Sequence, residues 1–333
     1  MTPTTVSVVV PTYNRRGLLE QTLPVLLHQA GKTAGVEIVV VVDGSRDGTL
    51  EMLRRFSSHG LLRVISQENR GLAAARNRGA DAASSEVVLF LDDDMVLREG
   101  SISAHREAHA DGRERVVFGG LALADGLRRS FLKQGIEIWG GKVEERLSAP
   151  GYEFRFDDCH FGHASMSRRL LKAAGGFDES FVRYGNEDYD LGWRLIQGGA
   201  EMRYLSAAVA CQIYHKTLYR WLRDCECVGM ADRDLAEKHP SLESDLRFAS
   251  VPRHLLKRVA RVSGLSTLDP LAPAWGLLEA GMASLEWMGA RGSILGKTQS
   301  LLGERRYWKG VRRSGFSPTE PLRESKAQRG RTA

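Results

Sequence analysis

The chain has 333 residues, 42% hydrophobic and 26% charged, with a formal net charge of +6. This composition excludes overall disorder, and the length allows one large α/β core with an extension. The positive excess suits an anionic ligand or anionic lipid, but basic residues gather after Pro252 and in 323–331, so much of the charge belongs to the tail.

In chain order, apolar runs at 6–10, 36–42, 61–65, 87–91 and 115–118 read as strands. Between them, 16–29, 49–57, 72–83 and 101–110 have helical spacing. Such alternation predicts an α/β fold, a mostly parallel Rossmann-like sheet flanked by helices. From Arg128 to about Asp158 the pattern weakens around Gly140-Gly141 and Pro150-Gly151, and a mobile loop is expected. Strands are expected at 159–167, 202–205 and 209–213, with helices at 168–174 and 187–197, the latter with Leu191, Trp193, Leu195 and Ile196 inward. Beyond Tyr219 the chain reads as helical, near 221–238, 253–262, 274–288 and 294–302, and the residues from Ser317 read as a disordered basic tail. The expected organisation is a main domain over 1–216, in two halves (1–120 and 121–216), a helical extension over 217–316 and a tail over 317–333.

Cys159, Cys211, Cys225 and Cys227 lack the paired spacing of a zinc site and read as reduced thiols. No basic region followed by a long apolar stretch marks the N-terminus, so a cytoplasmic location is expected. The stretch 271–288 is interrupted by Pro273, Glu279 and Glu286, short of the about 20 apolar residues that span a bilayer. Packing on the core, a dimer interface or peripheral contact with anionic lipid at the inner membrane face are the readings for the later helices. The tail lacks the interleaved aromatics of a nucleic-acid stacking surface.

Ligands of open α/β sheets sit beyond the carboxyl ends of the strands, so the residues after each strand matter most. Pro11-Thr12-Tyr13-Asn14 offers amide and hydroxyl groups after the first, and Asp43 offers a carboxylate to a base or ribose, or caps a turn. Arg76, on the first turns of the helix at 72–83, reads as a guanidinium that bonds a phosphate or pairs with an acidic neighbour, or as a surface charge. Asp92-Asp93-Asp94 follow the strand at 87–91. Three adjacent carboxylates repel one another unless a cation neutralises them, and hard oxygen ligands suit Mg²⁺ or Mn²⁺ with a bound diphosphate. Glu187, Asp188 and Asp190 form a second cluster, readable as a helix N-terminal charge set or as the base that deprotonates an acceptor hydroxyl.

These segments together resemble a family 2 glycosyltransferase of GT-A fold. The likeness runs through Val8-Val9-Val10-Pro11-Thr12-Tyr13-Asn14, Val42-Asp43-Gly44-Ser45, Asn69-Arg70-Gly71-Leu72-Ala73-Ala74-Ala75-Arg76-Asn77 and the Asp92–Asp94 triplet. Gly175-Gly176-Phe177-Asp178-Glu179-Ser180-Phe181 and Glu187-Asp188 resemble the acceptor side of galactosyltransferase-like enzymes. The resemblance covers roughly 5–216 and implies that 1–216 is a catalytic domain, with 1–120 its nucleotide-sugar-binding half and 121–216 its acceptor-binding half. It implies an inverting, metal-dependent transfer from a nucleoside diphosphate sugar, most commonly uridine-linked, to a glycan, lipid-linked or small-molecule hydroxyl, as in polysaccharide biosynthesis. It implies that Pro11, Thr12, Tyr13, Asn14 and Asp43 hold the nucleoside, and that Arg76 lies near nucleotide or phosphate. Asp92 and Asp94 take the metal as a DxD motif, with Asp93 assisting or facing away. Asp188 is the implied base, Glu187 orients the acceptor, and His215 is a further metal ligand. Val42 stands where many relatives carry another aspartate, and His163 where the family often has a small or amide residue near the acceptor sugar. A nucleotidyltransferase lacks support, because Pro11-Thr12-Tyr13-Asn14 is not a glycine-rich phosphate loop; a catalytically inactive scaffold would not need Asp92, Asp94 and Asp188.

Overall fold

The computed structural model describes residues 4–56, 58–250 and 252–315, so the reading of 317–333 lies outside the described residues. Two compact units divide the chain. The first comprises 1–127, 136–182 and 187–214, and the second 128–135, 183–186 and the chain from His215 onward.

In the first unit the chain order is β1 (Val6–Thr12), α1 (Arg16–Lys32), β2 (Val36–Asp43), α2 (Thr49–Leu53), β3 (Leu62–Gln67), α3 (Leu72–Ala82), β4 (Val87–Leu91), β5 (Met95–Leu97), α4 (Ser101–Ala108) and β6 (Arg115–Leu123). There follow α5 (Phe131–Leu147), of which 131–135 count with the second unit, β7 (His163–Ser167), α6 (Arg168–Ala173), α7 (Glu187–Gln197) and β8 (Glu201–Gln212). One sheet takes the order β3-β2-β1-β4-β7-β6-β8-β5. Pairing is parallel for β1·β2, β1·β4, β2·β3 and β6·β8, and antiparallel where β7 meets β4 and β6 and where β5 meets β8. This is a mixed, mostly parallel sheet flanked by helices.

The continuous valine runs of β1 and β2 follow from burial on both faces. Val6, Val8 and Val10 join Ile38, Val40, Leu19, Leu23 and Met52 on one face. Val9, Val39, Val41 and Phe90 join Ala73, Ala75, Ala80 and Leu191 on the other. Each fully buried valine or leucine contributes about 2 kcal/mol relative to exposure. The small side chains of α3 let it sit close on β1 and β2, which brings Arg76 beneath the strand ends.

Three expectations change. Residues 131–147 form helix α5 rather than a loop. Phe131, Leu132, Ile136 and Leu147 repeat at helical spacing, and the three internal glycines, Gly135, Gly140 and Gly141, cost only about 1 kcal/mol each against that pattern. The two strands expected at 202–213 are one, β8, whose pairing with β6 shifts register at Gly119/Gly120. In α7, Leu191 and Leu195 are buried, while Trp193 and Ile196 are only partly so, because a 3.6-residue repeat puts Trp193 on another face.

The second unit holds α8 (Leu218–Lys238), α9 (Leu255–Leu265), α10 (Ala272–Trp287) and α11 (Ser293–Arg313). Helices α8 and α11 approach so closely that a Cβ on Gly229 would overlap the Tyr307 carbonyl, and one on Gly310 the Glu226 carbonyl. Buried carboxylates are paired: Asp232 accepts from Tyr307 Oη at 2.6 Å and from Asn186 Nδ2 at 2.8 Å, and Glu279 from Arg306 Nη2 at 2.6 Å. Among the described residues no helix is long and apolar enough to cross a membrane.

Candidate active site

The carboxyl ends of β1, β2 and β4 and the N-terminus of α7 supply the polar residues of the first unit. Pro11 and Thr12 close β1 and are buried, and Tyr13 is exposed. Asn14, with φ of 51°, accepts a hydrogen bond from Arg46 N at 2.8 Å while its own N–H donates to Ser45 Oγ at 2.9 Å, so it staples the β1 and β2 loops together.

Asp43 is buried and well occupied. Its Oδ1 accepts from Gln67 Nε2 at 2.8 Å and Arg70 N at 2.9 Å, and its Oδ2 from Gly71 N at 2.9 Å. Asp43 does not cap the following helix, whose start carries no side-chain cap; its carboxylate instead holds the loop before α3, and it retains lone-pair capacity for one further donor. Gly44, at φ of +72°, permits the close approach, since a Cβ there would sit 2.6 Å from Asn69 N.

The acidic triplet splits three ways. Asp93 turns inward, where its Oδ2 accepts from Thr12 Oγ1 at 2.8 Å and its carbonyl from Thr22 Oγ1 at 2.9 Å. Burial pushes its carboxyl up to about 7, against the opposing pull of Arg15, whose Nη1 lies 3.9 Å away. Asp94 Oδ2 accepts from Gln212 Nε2 at 3.3 Å and lies 3.7 Å from Arg15 Nη1. Asp92 has a side chain 35% exposed. Its backbone N–H donates to Gly162 O at 3.0 Å, and a Cβ on Gly162 would come within 2.5 Å of Asp92 Oδ2, so only glycine leaves that carboxylate its place.

Arg76 joins the two acidic clusters. It is 1% exposed. Its Nη2 donates to Asp92 Oδ1 at 3.1 Å, and its Nη1 to Asp188 Oδ1 at 2.5 Å and Glu187 Oε1 at 3.3 Å. Phe177 lies under the guanidinium, 5.2 Å from ring centroid to Cζ. Burial alone would lower its pKa; the charges of Asp188, Asp92 and Glu187 more than offset that and hold it raised. The guanidinium is thus engaged by carboxylates, which stand between it and solvent. Asp188 Oδ2 also accepts from Phe161 N at 3.0 Å, and its side chain is 18% exposed. Burial, and then the charge of Asp188, raise the carboxyl of Glu187. Asp190 instead pairs with Arg194 one turn on, at 2.6 Å, and belongs to the helix rather than to the site.

The donor set fits a hard divalent cation. Asp92 and Asp94 offer hard carboxylate oxygens, and in the described residues the cluster of five carboxylates is met by the guanidinium groups of Arg15 and Arg76. Among the described residues no group of three or more His, Cys, Asp or Glu side chains is arranged to hold a metal, and Mg²⁺ commonly takes one or two protein carboxylates, with water and substrate phosphate completing its shell. His215 follows β8 and belongs to the second unit. His163 lies on the α4 side of β7, with Nδ1 3.2 Å from Gly120 O and Nε2 3.1 Å from His105 Nε2.

Sequence reasoning missed Arg15, Gln212 and Gly162. The Arg15-Arg16 pair after a strand end carried a usable signal, because a cation beside an expected acidic cluster calls for pairing; Gln212 and Gly162 carried none.

Residues 7–174 match the family described as Glycosyl transferase family 2, and residues 141–216 match the N-terminal domain of galactosyltransferase. Among curated relatives, the validoxylamine A glucosyltransferase of Streptomyces hygroscopicus subsp. jinggangensis is 29% identical over 277 residues, covering 76% of this chain and 65% of that protein. The chondroitin synthase of Escherichia coli is 30% identical over 242 residues, covering 63% of this chain and 34% of that protein. The chain therefore spans less than two thirds of these relatives' lengths. In fold it is similar to the mannosyltransferase PcManGT from Pyrobaculum calidifontis in complex with GDP-Man and Mn²⁺, with a TM-score of 0.60 at 19% identity, covering 94% of this chain and 88% of that one. S. aureus TarS 1–349 in complex with UDP-GlcNAc gives 0.53 at 18% identity, covering 94% and 93%.

Proposed function

The chain belongs to the family 2 glycosyltransferases, with a GT-A fold, and on that premise we propose that it moves a sugar from a nucleoside diphosphate sugar, uridine-linked, to an acceptor hydroxyl with inversion at the anomeric carbon. The observation that carries this reading is the pair of bonds from one guanidinium: Arg76 holds Asp92 through Nη2 and Asp188 through Nη1. It ties the carboxylate at the end of β4 to the one at the start of α7.

In this reading Asp188 accepts the acceptor's hydroxyl proton on a lone pair that Arg76 and Phe161 N leave open. The acceptor oxygen bonds to the anomeric carbon from the face opposite the diphosphate, and the bond from that carbon to the diphosphate oxygen breaks, releasing nucleoside diphosphate. Asp92 and Asp94 would hold Mg²⁺ or Mn²⁺, which when bound supplies positive charge to the leaving diphosphate. His215 is proposed as a further ligand from sequence alone. Pro11, Thr12, Tyr13, Asn14 and Asp43 border the nucleoside, Arg76 positions the carboxylates, and Glu187 orients the acceptor.

Turnover of a nucleotide-sugar panel by wild type and Asp188→Asn tests this. Release of free nucleoside diphosphate by wild type, with a loss of at least about 100-fold in the variant, is expected. Near-wild-type turnover by a folded variant removes Asp188 as base, and pyrophosphate release would point to nucleotidyl transfer instead.

For the second unit we propose peripheral contact with anionic lipid. Leu255, Leu256, Val259 and Val262 follow helical spacing along α9 and are exposed, Leu255 at 72%, and Leu277 on α10 is exposed at 77%. Arg253, Arg258, Arg291 and Lys297 are exposed in the same stretch, which supplies the charge complement. Flotation of the full chain with phosphatidylglycerol vesicles, lost with Leu255→Ser and Leu256→Ser together, is expected; equal flotation of the variant sinks the proposal.

A further inference from the structure

Three aromatic rings of the first unit, on the segments that carry and bond Asp188 and on α5, touch in a row and take no part in the chemistry described above. Tyr189 follows Asp188 on α7, and its ring lies 5.7 Å from that of His160 at an interplanar angle of 58°. His160 precedes Phe161, whose N–H bonds Asp188, and it lies 5.4 Å from Trp139 on α5 at 74°. Buried Phe156 supports Tyr189 from behind, at 5.7 Å and 85°. Trp139 ends the row at 42% exposure, beside Ile138 at 54%.

An indole left open to water is a poor use of a large apolar ring unless something covers it, because aromatic side chains gain most from burial of their faces. The covering group is constrained by place. A ring row that starts at the base Asp188 lies where an acceptor must approach. The row is edge-on and tilted rather than stacked, and Trp139 retains accessible ring surface. Carbohydrate-ring CH groups pack on such faces while the hydroxyls reach polar neighbours, and sites of this kind combine aromatic walls with a few convergent polar groups.

We infer that Trp139, His160 and Tyr189 form the acceptor subsite, with Trp139 as the stacking surface for a saccharide ring whose hydroxyl is directed to Asp188. The inference rests on the proposed glycosyl transfer and adds the class of acceptor. It requires α5, the segment whose helical character the sequence pattern hid.

The test uses the full chain with, as donor, an intact nucleotide sugar that the wild-type enzyme is able to hydrolyse, and a panel of hexose disaccharides and p-nitrophenyl hexosides as acceptors. Trp139→Ala should raise the acceptor KM about tenfold with a donor KM shift below twofold, and Trp139→Phe should recover most of the loss. An acceptor KM within twofold of wild type in Trp139→Ala, or an equal rise in donor and acceptor KM, overturns the subsite. So does a wild-type enzyme that hydrolyses a donor but transfers to no saccharide of the panel. If no nucleotide sugar is hydrolysed, the transfer reading fails by itself, and quenching of tryptophan fluorescence by the same disaccharides decides the subsite. Quenching in wild type that is lost in Trp139→Ala supports it, and no quenching overturns it.

Discussion

Arg76 Nη1 lies 2.5 Å from Asp188 Oδ1, and the same guanidinium reaches Asp92 Oδ1 from its other terminal nitrogen at 3.1 Å. A buried cation shared by three carboxylates cannot be removed without leaving their charges uncompensated, so Arg76→Met should cost about 3–5 kcal/mol in urea unfolding. Arg76→Lys keeps the charge but loses the planar fork, and is expected to fold with turnover reduced about tenfold or more. Lysine turnover equal to wild type would show that the fork does not position Asp92 against Asp188.

Removal of divalent cation should weaken diphosphate binding and leave nucleoside binding largely alone, since the carboxylates of Asp92 and Asp94 then face the phosphates without a countercharge. Calorimetric titration with UDP, GDP and the matching nucleosides, with Mn²⁺ or with EDTA, measures the difference. Asp94→Asn should abolish the increment that Mn²⁺ gives. An EDTA-insensitive diphosphate affinity would exclude the metal from this site.

The valine runs of β1 and β2, the α3 signature and the Glu187 start of α7 were legible because both periodicity and motif order mark them. Helix α5 was not, since Gly140-Gly141 reads locally as a break and the contacts that override it come from distant residues. Arg76 was legible as important but not in role: early-helix position allows either a ligand-facing or an inward guanidinium, and only the packing of α3 on β1 selects the inward one. His163 shows the same limit, because strand alternation alone could not tell which face of β7 meets α4. The inward turn of Asp93 also depends on a residue 81 positions away, Thr12.

Asp43 holds the β3–α3 loop through Gln67 Nε2, Arg70 N and Gly71 N. Asp43→Ala leaves those donors without their acceptor and should destabilise the fold by about 1–3 kcal/mol in urea unfolding. Asp43→Asn keeps one acceptor oxygen and should lose less. If the carboxylate also borders the nucleoside, Asp43→Asn will raise the donor KM by more than its stability loss accounts for. A donor KM unchanged in a folded Asp43→Asn protein would confine Asp43 to the loop.

The histidines beside β7 set the acid limit of stability. His163 Nδ1 faces the Gly120 carbonyl and must donate to it, so His163 Nε2 accepts from His105 Nε2. His105 Nδ1 then accepts from Ser165 Oγ, which accepts in turn from His109 Nε2. Every proton in this chain is assigned with all three rings neutral, and an added one puts two donors face to face. Burial pushes His163 down to about 4, and burial with the charge of Arg115 pushes His109 down to about 4, with Arg203 adding to it and Glu114 and Asp111 opposing; His105 is lowered too. A depressed value means the unfolded chain binds protons that the folded one refuses between about 6.5 and 4, so this stability is complete above pH 6.5 and lost as pH falls toward 4. The loss approaches about 1.4 kcal/mol per pH unit for each histidine. Asp93 and Glu187, both raised, favour the folded state at lower pH and partly mask it. The comparison of wild type with His109→Gln removes that mask, because glutamine keeps a donor toward Ser165 and does not titrate. Urea unfolding at pH 7.5 and pH 5.0 should show the variant losing about 2 kcal/mol less than wild type over this interval, and equal losses would refute a neutral His109 in the folded protein.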